Sequence, residues 1–318
     1  MCRWYDDKKC VFSPFFRLDL ILTFLFHVHV HSRMAYMGGS ASVYDLLFNF
    51  KHSLVIQSLH STEGAEATNG DGFGMGWYAD DYDDPLLFRS VEPAWHDRNL
   101  KEIAQAISAH TIFAHVRAAS PSVANVQQTN CHPFRHDGWL WMHNGVIRGF
   151  KQIKRDLMLK IDADLYPCIE GSTDSETFFY LALTFGLKED PPTAVAKAVG
   201  FITTLAKAKG VEFPVQMTVA TTDGTGRLWA FRYSTERKSR TLYYSTDIDS
   251  IIELYQDDAA AQKRKSIIRY KNYTGDTRFV VSEPLGDVKG VWNLVDEATC
   301  VYVEKGDLTM TPFEPIYE

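Results

Sequence analysis

Cys2 stands directly after Met1, and a cysteine in that position can become the first residue once the methionine is removed. Its thiol and a free α-amine would then share one carbon. Unperturbed, the thiol titrates near about 8.5 and the α-amine near about 7.7–8.0, so a useful share of the amine is neutral at pH 7 and can take the thiol proton. Nucleophile and base in one residue can carry out acyl transfer without a histidine partner. Alone, Cys2 is equally an incidental residue beside the start of the chain. Five further segments decide the matter: NGDGFG (Asn69–Gly74), FAHVRAAS (Phe113–Ser120), NCHPF (Asn130–Phe134), MHNG (Met142–Gly145) and GSTDSE (Gly171–Glu176).

Hydrolysis of a side-chain amide such as that of glutamine needs, besides nucleophile and base, an oxyanion hole and a grip on the amino-acid head group. Asn144 and Gly145 offer a side-chain amide N–H and a backbone N–H at adjacent positions, which suits a developing oxyanion; the same pair also reads as a hairpin turn. Arg117, followed by Ala118, Ala119 and Ser120, could hold a substrate carboxylate in a fork of two hydrogen bonds, or simply end a strand. Asp174 could pair with an α-ammonium, and it equally suits the first turn of a helix whose capping box is Thr173 with Glu176. His132, before Pro133, either shapes the pocket or is a structural histidine. Gly70, Gly72 and Gly74 allow close backbone approach to a ligand, but no Lys-Ser/Thr follows, so this is not a phosphate loop.

The elements around these residues must position them. Met34–Gly39 is expected as a short strand entering a glycine turn, with Ser40 as N-cap of a helical turn over Val43–Phe48. Gly74–Ala79 is expected as a strand, Asp80–Asp84 as a solvated loop, and Leu100–His110 as a helix before a strand over Thr111–Val116. Gly138–His143 is strand-like and should end at an Asn144-Gly145 turn. Helices are expected over Phe150–Leu159, Asp174–Gly186 and, after a break at Pro191-Pro192, Thr193–Lys209. From Val215 the texture turns β-rich, with strands over Val215–Thr221, Arg227–Tyr233, Thr241–Ser245, Arg278–Ser282 and Cys300–Lys305. Two β-rich regions flanking a run of helices suggest two sheets with helices outside. No linker separates independent domains.

Bulk properties narrow the function classes. The chain has 318 residues, is 45% hydrophobic and carries a net charge of −7, which disfavours a nucleic-acid partner because phosphate contacts need clustered Lys and Arg. One basic cluster, Lys263–Lys271, reads as a solvated face. Five cysteines (Cys2, Cys10, Cys131, Cys168, Cys300) form no paired spacing, which favours free thiols in a reducing compartment. The apolar run Leu18–Val30 is shorter than the roughly 20 residues a membrane span needs. A cytoplasmic protein with neither cofactor nor metal site is expected.

Taken in order, these motifs resemble a class II glutamine amidotransferase, an N-terminal-nucleophile hydrolase. The likeness is to the stand-alone branch, which includes YafJ-like proteins, the hydrolase of ergothioneine biosynthesis and the fungal subunit that degrades glutathione. It runs over Met1–Trp4 and from Met34 to about Ser282, with 283–318 as a β-rich extension of the same domain. The resemblance implies an α+β fold, a four-layer αββα sandwich. It implies Cys2 as nucleophile, Asn144 and Gly145 as oxyanion hole, and Arg117 and Asp174 as head-group clamps, with His132, Gly72 and Ser120 lining the substrate site. A γ-glutamyl thioester on Cys2 would be hydrolysed to glutamate, releasing ammonia or an amine. An ammonia acceptor, or the rest of a peptidase complex, would lie on a partner chain. The alternative is a partner-dependent or inactive amidotransferase-like subunit.

One departure stands out. The family runs Met-Cys-Arg directly into a Trp-Met-Ala-Tyr-like strand, whereas here Trp4 and Met34 are separated by 29 residues, Tyr5–Arg33. Their deletion restores MCRWMAYMGG. Trp-Tyr must be encoded TGG-TAY, which contains a splice-donor-like GTAY; an AGG codon for Arg33 would supply the acceptor AG. The segment therefore reads as a retained intron. It reads alternatively as an insertion that loops out, or, through His27, His29 and His31 on one strand face, as a zinc site. Because a nucleophile misplaced by about 1 Å can cost about 10²-fold in rate, the full chain could be inactive with every site residue present.

Overall fold

The computed structural model describes residues 32–59, 70–117, 126–254 and 273–317. Thirteen strands among them form two antiparallel sheets. The first sheet contains β1 (Ser32–Ser42), β2 (Phe73–Trp77), β3 (Leu86–Ser90), β4 (Ser108–Val116), β9 (Tyr243–Ser245), β10 (Arg278–Val281) and β11 (Trp292–Leu294) in the order β11-β9-β10-β1-β4-β2-β3. The second contains β5 (Phe134–His136), β6 (Trp139–Ile147), β7 (Val215–Thr222), β8 (Arg227–Ser234), β12 (Thr299–Glu304) and β13 (Asp307–Pro312) in the order β13-β12-β8-β7-β6-β5. The two β-rich stretches of the sequence do not map one to each sheet: β9 to β11 cross back to the first, and the last two strands return to the second.

Alternation along the strands sorts side chains into three cores. Ala35, Met37, Phe113, Leu140, Met142, Ala220 and Ala230 meet between the sheets. Met34, Tyr36, Ile112 and Ala114 face α1 (Leu54–Leu59) and α2 (Arg98–Ala106) on the outer side of the first sheet. Trp141, Ile147, Met217 and Phe231 face α3 (Phe150–Lys160), α4 (Asp174–Thr184) and α5 (Pro191–Ala208) on the outer side of the second. The result is the expected α+β, four-layer αββα arrangement.

Several boundaries differ from the sequence expectation for local reasons. Ser40 lies inside β1, which runs through its glycines as far as Ser42, so it caps no helix. Asp97 accepts hydrogen bonds from Asn99 and Leu100, so α2 begins at Arg98 and ends at Ala106, ahead of a strand that already starts at Ser108. Pro191 and Pro192 open α5 rather than precede it, since the first turn of a helix tolerates missing N–H groups and Asp190 caps Thr193. Asn144 and Gly145 form no turn: they pair with Thr218 and Met217 in the middle of β6–β7.

Candidate active site

Parity brings the chemistry-bearing residues to one end of the gap between the sheets. Arg117 follows β4 on the same face as Phe113 and His115, the face turned toward the second sheet. Its backbone N–H donates to Gly72 O (2.9 Å) and its carbonyl accepts from Asp71 N (3.0 Å), so Arg117 and the glycine loop are stitched together. Gly72 has φ +123°, and a Cβ there would stand 2.8 Å from Cys131 Sγ and 2.9 Å from Ser90 O, so only glycine fits. Burial lowers the Arg117 pKa, although the guanidinium remains a permanent cation near neutral pH.

Across the gap, Asn144 is buried on the inner face of β6. β5 pairs with β6 only as far as Trp141, so beyond it β6 has a strand on one side alone among the described residues. Ile147 N donates to Asp174 Oδ2 (2.8 Å) rather than to β7. N–H direction repeats every second residue along a strand, so the Gly145 N–H also points off that edge, toward the start of α4. The Gly145 N–H thus leaves the sheet on the side where Asp174 stands, next to the inner-facing Asn144. A Cβ on Gly145 would lie 2.0 Å from Gln216 O and 2.5 Å from His143 Nε2.

Asp174 is the first residue of α4. Thr173 caps the helix by accepting from Glu176 N (3.1 Å), as the sequence suggests. The Glu176 carboxylate reaches farther than a capping box requires: it accepts from Glu170 N (3.0 Å) and Gly171 N (2.7 Å) and fixes the loop before the helix. Asn130 holds the same loop, its Oδ1 accepting from Ser172 N (2.8 Å). Burial pushes the Asp174 carboxyl above the ordinary range, against hydrogen bonds from Ile147 and Ser175 that favour the charged form.

His132 lies inside this end of the gap, its ring 4.3 Å from that of His115 and 4.5 Å from Phe134. Burial, with Arg33 and Arg117 beside it, holds His115 well below the usual histidine range. Burial likewise raises the Cys131 thiol, which makes it a poor nucleophile. Cys131, Cys168 and Cys300 are all free thiols.

The structure therefore gathers Arg117, Gly72, His132, Asn144, Gly145 and Asp174, and adds His115, His143, Ser175 and Asn130, which sequence reasoning missed. Cys2, Ser120, the histidines at 27, 29 and 31, and the basic segment 263–271 lie outside the described residues. No group of three or more His, Cys, Asp or Glu capable of holding a metal occurs among the described residues, and none of their helices is long and apolar enough to cross a membrane.

Arg33 is the unexpected occupant. Together with Ser32 it belongs to β1, with Ser32 opposite Val116 and Arg33 opposite His115. By parity with Ala35 it faces into the gap between the sheets, where it is 1% exposed. Its Nη1 donates to Thr218 O, on the residue paired with Asn144. Its Nε and Nη2 have no hydrogen-bond partner and no carboxylate joins it in an ion pair among the described residues. Burial alone lowers its pKa to about 9.

Residues 43–316 match the family model of class-II glutamine amidotransferases. The chain is 30% identical over 294 residues to the probable glutamine amidotransferase DUG3 of Saccharomyces cerevisiae, covering 84% of this chain and 79% of that protein. Among solved structures, a glutamine aminotransferase class-II domain protein from Silicibacter pomeroyi superposes with a TM-score of 0.63 at 27% identity, covering 89% of this chain and all of that one. The glutamine phosphoribosylpyrophosphate amidotransferase of Bacillus subtilis shares the fold at 14% identity, with a TM-score of 0.57 over 90% of this chain and 50% of its own.

Proposed function

Since the chain belongs to the class-II glutamine amidotransferases, enzymes of the N-terminal-nucleophile fold, we propose that it cleaves γ-glutamyl amide bonds through a thioester on Cys2. The neutral α-amine of Cys2 takes the thiol proton, and the sulfur attacks the γ-carbonyl carbon. The tetrahedral oxyanion is met by the Asn144 side-chain amide and the Gly145 N–H. Collapse of the intermediate breaks the C–N bond, and the proton on the α-amine passes to the departing ammonia or amine. Water then cleaves the thioester, returning the thiol and releasing glutamate. Arg117 grips the α-carboxylate, Asp174 takes the α-ammonium, and Gly72, His132 and Ser120 line the site. The reaction needs neither cofactor nor metal, and we place it in the cytoplasm.

The observation that carries this reading is the edge of β6. One strand edge directs the Gly145 N–H and the Ile147 N–H the same way, and Asp174 occupies the second. An oxyanion donor and an α-ammonium acceptor are thereby spaced by two residues of rigid strand, as suits a single γ-glutamyl group. Preorganised donors of this kind are each worth about 10²–10³ in rate.

A second reading, an inactive or partner-dependent form, is favoured by Arg33. The β1–β4 register pairs Ser32 with Val116, and continued by one step in a chain joined at Trp4–Met34 it would set a residue opposite Arg117. If Trp4 were joined directly to Met34, Trp4 would take the place of Arg33, Arg3 that of Ser32, and Cys2 the position facing Arg117 and Asn144. We propose that the active form is the one in which this junction exists.

Glutamate release from glutamine and from glutathione, with Cys2→Ala as the blank, tests the function. Release abolished by Cys2→Ala supports the thioester route. Release that survives Cys2→Ala excludes it, and activity that appears only on addition of a partner chain favours the subunit reading.

A further inference from the structure

His143 stands one residue before Asn144, so its side chain leaves β6 on the opposite face, toward the helices. There its Nδ1 lies 2.9 Å from Ser175 Oγ. Its ring also meets Phe178 edge-on, with centroids 5.5 Å apart at 89°. Ser175 and Phe178 are three apart, one turn of α4, so the imidazole is seated against one face of the helix that presents Asp174. Ser175 Oγ in turn lies 3.3 Å from Asp174 Oδ1. The other carboxylate oxygen, Oδ2, is held by Ile147 N at 2.8 Å. His143, Ser175 and Asp174 are all buried.

We propose that His143 and Ser175 are positioning residues for substrate binding: His143 is a strut that orients the Ser175 hydroxyl, and the hydroxyl fixes the carboxylate of Asp174 for an α-ammonium. The inference rests on the head-group role given to Asp174 above. The relay runs through the imidazole tautomer that carries its proton on Nδ1. A hydroxyl has one proton, so an Nδ1–H that donates to Ser175 Oγ leaves the Ser175 O–H to donate to Asp174 Oδ1. Without the imidazole, nothing holds that hydroxyl toward Oδ1, and it is free to turn to another rotamer. Asp174 would then lose the bond to Oδ1 and keep those from the backbone N–H groups of Ile147 and Ser175, which orient it less firmly. The order of contacts also excludes a Ser-His-Asp nucleophile, because the carboxylate touches the serine and not the histidine. The strut joins both halves of the site, since Asn144 and Gly145 follow His143 on β6 while Asp174 precedes Ser175 on α4.

The discriminating ligands are L-glutamate and glutarate, which differ by the α-ammonium alone. Titration calorimetry on the full chain should show tighter binding of L-glutamate. His143→Leu and Ser175→Ala should each reduce that preference about tenfold, the loss of one hydrogen bond to a charged group, with glutarate affinity unchanged. His143→Asn, whose amide N–H stands close to the place of Nδ1–H, should retain the preference to within about threefold. An unchanged preference in Ser175→Ala, or an equal loss for both ligands, would overturn the proposal and leave a purely structural role. A parent chain that binds the two ligands equally, or binds neither, would instead remove the head-group role of Asp174, and the proposal with it.

Discussion

Deleting Tyr5–Arg33 should stabilise the protein and switch on its activity together. The stability part follows from Arg33. Two of its guanidinium nitrogens are buried without a hydrogen-bond partner among the described residues, and each such group costs about 1–3 kcal/mol. The joined chain would put the Trp4 indole in that place, beside the apolar residues Ala35, Leu140 and Met142 between the sheets. Relief of roughly 2–6 kcal/mol is partly offset by making room for the larger ring. At about 2–4 °C per kcal/mol for chains of 150–250 residues, melting should rise on the order of 5 °C or more. The activity part follows from register, because Cys2 would enter β1 opposite Arg117 and on the face of Asn144. The assay is thermal melting with glutamate release, on the full chain, the shortened chain and Arg33→Met in the full chain. The shortened chain should melt higher and release glutamate; Arg33→Met should melt higher and stay inactive. A shortened chain that melts lower than the full one would refute the argument that Arg33 is misplaced. Equal, Cys2-dependent activity in both forms would refute the register argument.

Other consequences can be checked separately. Asn144→Ala should lower kcat by about 10²–10³ with KM little changed, because the role proposed for its amide is to meet the oxyanion and not the ground state; an effect confined to KM would contradict that role. Gly145→Ala should be both inactive and destabilised, since the added methyl meets Gln216 O and His143; a well-folded, active variant would show that the strand has room. Asp174→Asn should raise the melting temperature at pH 7 while abolishing discrimination of L-glutamate from glutarate. The sign follows from a carboxyl whose folded pKa is raised: its contribution is fully present below about pH 3.9 and lost as pH rises through the folded pKa, so the gain from asparagine should shrink toward pH 4. His143 behaves oppositely, burial holding its folded pKa down at about 3. Stability is then present above about pH 6.5 and lost at up to about 1.4 kcal/mol per pH unit as pH falls toward 3, and His143→Asn should flatten that slope by one proton.

Much of this site is legible in the sequence because its residues depend on local signals. Thr173 with Glu176 marks the start of α4, and the cap forms. Arg117 stands at the end of an apolar strand, and alternation from Phe113 suffices to choose its face. Asn144-Gly145 shows where local signals mislead: the pair favours a turn, but eight residues of β7 pair across Leu140–Ile147, and that tertiary ladder outweighs the dipeptide preference. His143 and Ser175 lie inside motifs already singled out, yet their contact joins residues 32 apart, and no spacing rule reveals it. The clue available was parity: if Asn144 faces the site, His143 must face the helices. Arg33 carries a different lesson. The sequence marks Tyr5–Arg33 as foreign, but only the structure reveals that its last two residues occupy β1, with a cation between the sheets.

Covalent catalysis by Cys2, as proposed, can be tested by trapping the thiol. A diazoketone analogue of glutamine alkylates a thiol that is poised at a γ-carbonyl site. Incubated with the shortened chain and read by peptide mass spectrometry, it should add once, at Cys2 with Met1 removed, be blocked by L-glutamate, and abolish glutamate release in proportion to labelling. Labelling at Cys131 or Cys168 instead, or full glutamate release from a chain whose Cys2 is completely alkylated, would contradict the account.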